Sequence, residues 1–267
     1  MTVPPRRAPV DPRIRARRIE VRRRAGRRRL RWLLAALAAS VLVAAAWAIS
    51  RSPLLDVDAI VVVGAERTGA EAVLAAAGVA PGDQLLDVDL PAVRRGVGAL
   101  PWVAEVVARR ELPGTVRLAI RERVAVAVVG AGSEAVLVDA GGRALGPPTP
   151  VELADRLLPL VEGVDPTDPG GVLEPGARAA VEVAAALGPT LRDRLAAVEA
   201  AGGEVTLRLD DGARVRLGLP GDLRAQLESA TTVLARVDLT CLAVIDVRVP
   251  AAPAVSRRSL TEDPACP

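Results

Sequence analysis

The chain has 267 residues, 51% of them hydrophobic, with 35 basic and 32 acidic residues and no His, Tyr or Phe. Every basic residue is Arg, and the charge is polarised: 13 arginines face two acids (Asp11, Glu20) in residues 1–31, leaving 22 basic against 30 acidic residues beyond, net −8. Without His or Lys there is no Ser-His-Asp or Cys-His catalysis, no Ser-Lys dyad, no Schiff base, no P-loop in Gly64–Gly69 and no ordinary zinc site.

Residues 1–31 read as a disordered, basic cytoplasmic tail, because an Arg-rich stretch with four prolines by position 12 cannot bury a core. Its charge suits anionic lipid headgroups. An acidic remainder gives no reason to expect nucleic-acid binding. Residues 32–49 then hold no charge at all, and Arg51 closes the run. At ~1.5 Å per residue such a run crosses a hydrocarbon core, so a transmembrane helix is expected over 32–50. The arginines keep the N-terminus cytoplasmic and place the rest outside. Trp32 and Trp47, ~22 Å apart along a helix, suit the two membrane interfaces. Ala46-Trp47-Ala48 has the form of a signal-peptidase site, but the apolar run exceeds the usual ~7–15 residues, which favours an uncleaved anchor.

Val57–Val63 is a β-branched run ended by Gly64, hence a strand. Thr68-Gly-Ala-Glu71 has the spacing of a capping box for a helix over 70–77. Pro81-Gly82 marks a turn. Asp89 caps a second helix that carries Pro91 in its first turn and Leu90, Val93 and Val97 on one face. Strands follow at Trp102–Glu111 and Thr115–Arg123, joined by a turn at Leu112-Pro113-Gly114. Val116, Leu118 and Ile120 point one way, Arg117 and Arg121 the other.

This β-α-α-β-β order directly after a single span resembles a POTRA domain, here 51–124. Its wording narrows the resemblance: Leu100-Pro101-Trp102-Val103, Val107-Ala108-Arg109-Arg110, Leu112-Pro113-Gly114-Thr115 and Glu122-Arg123-Val124-Ala125-Val126-Ala127 are similar to the FtsQ/DivIB family of division proteins. Ala125 departs from the family's usual proline.

Beyond it, Ala135–Asp139 reads as a strand entering a Gly-rich hairpin, and 146–172 as loop broken by Leu157–Val161. A helix is expected over 177–187. An alternating hairpin follows, with Val205, Leu207 and Leu209 on one arm, Asp210-Asp-Gly212 at the turn, and Ala213, Val215 and Leu217 on the other. Leu223–Val237 is a helix with Leu223, Leu227, Ala230 and Leu234 on one face, and Cys241–Val249 is a last strand ended by Pro250. Leu137-Val-Asp139 with Gly142, Leu158–Gly163, Arg216-Leu-Gly218 and Val244–Pro250 resemble the FtsQ C-terminal β domain, here 125–257, before a disordered tail at 258–267. Cys241 and Cys266 fall in an oxidising compartment, but an apolar strand face for one and a Pro-rich tail for the other favour unpaired thiols.

The expected fold is α+β: one transmembrane helix, a POTRA domain, and a mixed or antiparallel β-rich domain with helices. A carboxylate-pair glycosidase would want aromatic sugar platforms, and Trp102 is the one outer tryptophan, better suited to the core or a domain boundary. Asp165, Asp168, Asp210 and Asp211 offer calcium-type oxygens, though solvated turn acids explain them more simply. No enzyme activity, cofactor or metal is expected. The resemblance implies a divisome scaffold at the septum that docks the FtsB–FtsL pair and links early and late division proteins to septal peptidoglycan synthesis. It implies β-augmentation on the last strands of the β domain, at Asp246, Arg248, Ala254, Val255, Ser256 and Arg257, with Ile245, Val247 and Val249 facing the core. Arg109 and Arg110 are candidate recruitment contacts on the POTRA surface. The alternative reading is a membrane-anchored POTRA-type polypeptide-binding transport or chaperone module.

Overall fold

The computed structural model describes residues 12–154, 158–219, 221–237 and 241–258. The expectations for residues 1–11 and 259–267 lie outside the described residues. Helix α1 (Pro12–Ser50) contains the apolar stretch Arg29–Ile49, long and apolar enough to cross a membrane and nowhere buried against protein. It continues back to Pro12, through the segment expected to be a disordered tail. Arginine is a good helix former, and a helix nucleated by the apolar run propagates readily into such a sequence. Trp32 and Trp47 are both exposed.

After a short 3₁₀ turn (Pro53–Leu55) come β1 (Ala59–Val63), α2 (Ala70–Ala77), α3 (Leu90–Gly98), β2 (Val103–Glu111) and β3 (Thr115–Glu122), the expected order. The strands form a sheet in the order β1-β3-β2. Val116, Leu118 and Ile120 are buried at alternate positions of β3. Asp89 caps α3 as expected, its carboxylate accepting the Ala92 N–H at 3.0 Å. The cap of α2 differs. Gly69, at φ 79°, is the N-cap, and the Thr68 hydroxyl donates instead to Glu122 at 2.7 Å.

The remaining elements are β4 (Ala125–Val129), β5 (Val136–Asp139), β6 (Ala144–Gly146), α4 (Pro150–Ala154), β7 (Leu160–Glu162), α5 (Pro175–Ala186), α6 (Pro189–Arg192), β8 (Leu195–Ala201), β9 (Glu204–Leu209), β10 (Arg214–Gly218), α7 (Leu223–Arg236), β11 (Leu242–Asp246) and β12 (Ala254–Arg257). Among the described residues nine strands make one sheet, in the order β12-β11-β10-β9-β8-β7-β4-β5-β6. It is mixed: β10–β11, β7–β8 and β4–β7 are parallel, the other pairs antiparallel.

Contacts divide the chain into two compact units. The first joins α1 and the chain up to Ala59 with residues 80–88 and 110–116. In it, Val57 N–H donates to Asp83 O at 2.7 Å, Leu85 N–H to Leu55 O at 3.0 Å and Asp58 N–H to Gly114 O at 2.7 Å. The second holds 60–79, 89–109 and the chain from Arg117 onward. Its main core lies on one face of the nine-stranded sheet, where α5 brings Ala180, Val181 and Ala184, and α7 brings Leu227, Ala230 and Leu234, onto Val198, Leu207, Val215 and Ile245. On the other face Trp102 packs against Val128, Ala135, Leu137 and Leu145. Neighbouring residues of β4 serve opposite cores, Ala127 and Val129 the first and Val128 the second, as period-two alternation dictates. Arg67 stacks its guanidinium 5.0 Å from the Trp102 ring centre and pairs with Glu152, while Arg123 pairs with Asp139 at 2.7 Å.

Cys241 overturns the expectation of an unpaired thiol on a strand face. It stands one residue before β11, in the left-handed region at φ 61°, and is disulfide-bonded. The turn takes its side chain out of the strand's alternation, so an apolar neighbourhood in sequence says nothing about its burial.

Candidate partner-docking edge

The sequence Pro253-Ala-Val-Ser-Arg257 makes an edge strand for a simple reason. Proline supplies no N–H and is tolerated at a strand start, and β-branched Val255 favours extension. β12 pairs antiparallel with β11, setting Asp246 opposite Ala254, Ile245 opposite Val255 and Val244 opposite Ser256. Among the described residues no strand lies beyond β12, and all four of its residues are exposed. Val255 shares a face with its partner Ile245, which is fully buried, yet is 41% exposed itself. The core face of the sheet therefore runs out to the edge and stops there uncovered.

The edge is held at both ends. At its start, the Ser229 hydroxyl on α7 donates to Pro250 O at 3.0 Å, and Ala252 N–H closes a turn onto Val249 O at 3.0 Å. At its end, Arg258 donates through its backbone N–H to Cys241 O at 2.8 Å, through Nε to Leu242 O at 3.2 Å and through Nη2 to Asp211 O at 2.7 Å. Arg258 was not among the residues singled out from sequence. Nothing distinguishes it there from Arg257 beside it; its role follows from the bend of the chain past β12.

Asp246 stands one strand in from this edge, opposite Ala254, and Arg248 clasps it from the β10 side. Arg248 donates to Asp246 through Nε at 3.0 Å and Nη2 at 2.7 Å, and its aliphatic stem crosses Gly218, where an added Cβ would lie 2.9 Å from it. The guanidinium of Arg248 holds the Asp246 carboxyl below the usual aspartate range, against the opposing effect of burial. Ile245 and Val247 face the core as expected, but Val249 does not. It is 62% exposed, because the strand ends at Asp246 and the chain turns before Val249 can continue the alternation.

Arg109 and Arg110 belong to β2, in the other sheet. Both are exposed, and Arg110 also donates to Val88 O. Among the described residues no group of three or more Asp, Glu, His or Cys could hold a metal ion. Asp211 spends one oxygen on the Ala213 N–H at 2.9 Å, an Asx-type closure of the β9–β10 turn.

Comparison with known proteins covers most of the chain beyond α1. Residues 55–123 match the family "POTRA domain, FtsQ-type", and residues 127–248 match "Cell division protein FtsQ/DivIB, C-terminal". The cell division protein FtsQ of Mycolicibacterium smegmatis is 33% identical over 67% of this chain and 51% of its own length. That of Rhizobium radiobacter is 34% identical over 58% of this chain and 67% of its own length. That of Myxococcus fulvus is 31% identical over 68% and 65%. Some matches are shorter; the chain spans only 34% of the FtsQ of Geobacter sp. and 57% of that of Mycobacterium leprae.

Proposed function

The chain belongs to the FtsQ/DivIB family of cell division proteins, and we propose that it is a non-enzymatic, membrane-tethered docking platform of the divisome. In this reading α1 spans the membrane with its arginine-rich end in the cytoplasm, and the two sheets stand outside, at the septum. The nine-stranded sheet accepts a strand from an FtsB–FtsL-type pair, single-span partners that connect it to septal peptidoglycan synthesis.

The observation that carries this reading is β12, an exposed edge strand fixed at both ends by Ser229 and Arg258. An edge offers alternate N–H and C=O groups to an incoming strand, and fixing it beforehand lowers the ordering cost of association. Val255 gives the incoming strand an apolar neighbour on the core side. On the other face it meets Ala254 and Ser256, with the Asp246 carboxylate one strand further in.

Proline tests the ladder rather than the side chains. Val255→Pro and Ser256→Pro remove adjacent N–H groups, one of which must point away from β11. The outward one should weaken capture of the FtsB–FtsL pair at least about tenfold, the equivalent of ~1.4 kcal/mol, with Val255→Thr close to wild type. Deleting 252–267 should abolish capture and leave membrane insertion intact. Full binding by both proline variants and by the truncation would move the interface off this edge.

A further inference from the structure

We propose that the membrane-proximal unit seats on the lipid surface through Leu54, Leu86 and Leu112, a second membrane contact beside the helical anchor. The inference rests on α1 being that anchor and adds to it a fixed apolar foot.

The chain leaves α1 without slack. Arg51 N–H donates to Trp47 O and Ser52 N–H to Ile49 O, both at 3.1 Å, and Leu54 N–H follows onto Ser52 Oγ at 3.3 Å. Leu54 thus stands three positions beyond the charge that closes the apolar run, on a hydrogen-bonded turn, and is 76% exposed. Chain continuity alone keeps it at the interface.

Two other segments are tied to this exit. Residues 83–85 run antiparallel to 55–57, with a bridge between Asp56 and Gln84, and Leu85 N–H donates to Leu55 O at 3.0 Å. Alternation turns Leu85 inward, fully buried, and leaves Leu86 46% exposed. Arg51 at the end of the anchor pairs with Asp87, Nη1 to Oδ2 at 3.3 Å, which holds this segment down beside the exit. The β2–β3 turn is attached one step along, since Gly114 O accepts from Asp58 N–H at 2.7 Å and Ala59 N–H at 3.2 Å. Two residues from Gly114, Leu112 is 71% exposed. These segments and α1 form one compact unit, so their positions are fixed against the anchor and not against some distant surface.

Three exposed leucines beside a membrane exit match the chemistry of an interfacial contact, in which apolar side chains enter about 5–10 Å into the headgroup–acyl boundary. The charges around them are Asp56, Asp58, Asp83, Asp87, Glu111, Arg51 and Arg110. With acids in the majority, the contact is hydrophobic and does not select anionic lipid.

The test uses the full chain reconstituted in phosphatidylcholine vesicles, with and without phosphatidylglycerol. Single cysteines at Leu54, Leu86 and Leu112 are labelled with an environment-sensitive fluorophore, without reductant, so that the disulfide of Cys241 stays closed. Val41, read with lipids brominated near the end of the acyl chain, reports on the anchor, and Leu219, 72% exposed, on solvent. Lipids brominated high on the acyl chain should quench the three foot positions at least about twofold, equally in both compositions, and leave Leu219 unquenched. Quenching at Val41 with Leu112 and Leu86 accessible only to aqueous iodide would overturn the foot while leaving the anchor standing. Failure at Val41 as well would overturn the membrane-spanning reading itself.

Discussion

Glu122 shows how one carboxylate can replace a local helix cap. It accepts the Arg67 N–H at 3.0 Å, the Thr68 N–H at 2.7 Å and the Thr68 hydroxyl at 2.7 Å, contacts that arrive from more than 50 positions away in sequence. Burial alone would raise its pKa, but these bonds together hold it below the usual glutamate range. A carboxyl depressed in the folded state adds stability that is complete above the unfolded value, about 4.3, and is lost as pH falls through the lower folded value. Glu122→Ala leaves two backbone donors and a hydroxyl without their acceptor and should cost about 1–3 kcal/mol at neutral pH. Glu122→Gln keeps one acceptor oxygen, should cost less, and should remove this group's share of the acid-side slope. Thermal unfolding of the three proteins in detergent, from neutral pH to about pH 3, measures both effects. An unchanged slope in the Gln variant would show that the other depressed carboxylates, Glu152 and Asp246, set the acid limit instead.

Elements depend on a few positions where a side chain cannot go. Gly64 ends β1 at φ 81°, and a Cβ there would lie 2.2 Å from the backbone oxygen of Ile120 in β3. Gly64→Ala therefore meets both left-handed strain, about 1–2 kcal/mol, and a backbone clash that only movement of the sheet relieves. It should lower the unfolding midpoint by more than Gly69→Ala, which has the same sign of φ, 79°, but nothing within 4 Å. Calorimetry on the pair separates conformational strain from contact. What was legible in the sequence follows the same division between local and distant causes. β3, β9, β10 and α7 declared themselves by periodicity, because their own side chains set which face is buried. Two stretches with the spacing of a capping box behaved differently. Thr149 and Glu152 do exchange bonds, at 2.7, 2.8 and 3.3 Å, at the start of α4, a helix inside the stretch whose Pro and Gly content predicts loop. Thr68-Gly-Ala-Glu71 does not, because Glu122 takes Thr68 and Gly69 occupies the cap. β8, spelled Leu-Ala-Ala-Val-Glu-Ala-Ala, has no strand propensity to announce it; its place between β7 and β9 is imposed by neighbours. At the docking edge, β12 lies beyond the strand expected to be the last and is pointed to only by the family resemblance, and Arg258 and the exposure of Val249 depend on turns that only the folded chain defines.

The whole molecule is organised by the separation of its charges. Thirteen arginines lie in residues 1–31, and the chain from Trp32 onward carries a net charge of −8. Each Arg near an anionic cytoplasmic leaflet contributes about 1 kcal/mol, so the tail's combined preference far exceeds what any single residue could reverse. In the proposed orientation the ensemble of arginines sets the direction, and single Arg→Ser changes in the tail should leave it untouched. Replacing all thirteen with serine removes the bias, and Arg51 then becomes the nearest charge on either side of the span. The expected result is a mixed population, some molecules carrying their sheets in the cytoplasm, where neither the docking edge nor the leucine foot can meet its target. Labelling of a cysteine at Leu219 by a membrane-impermeant reagent in intact cells counts the two orientations. A fully outward population in the thirteen-fold variant would mean that the outer domains, not the arginines, direct the chain across the membrane.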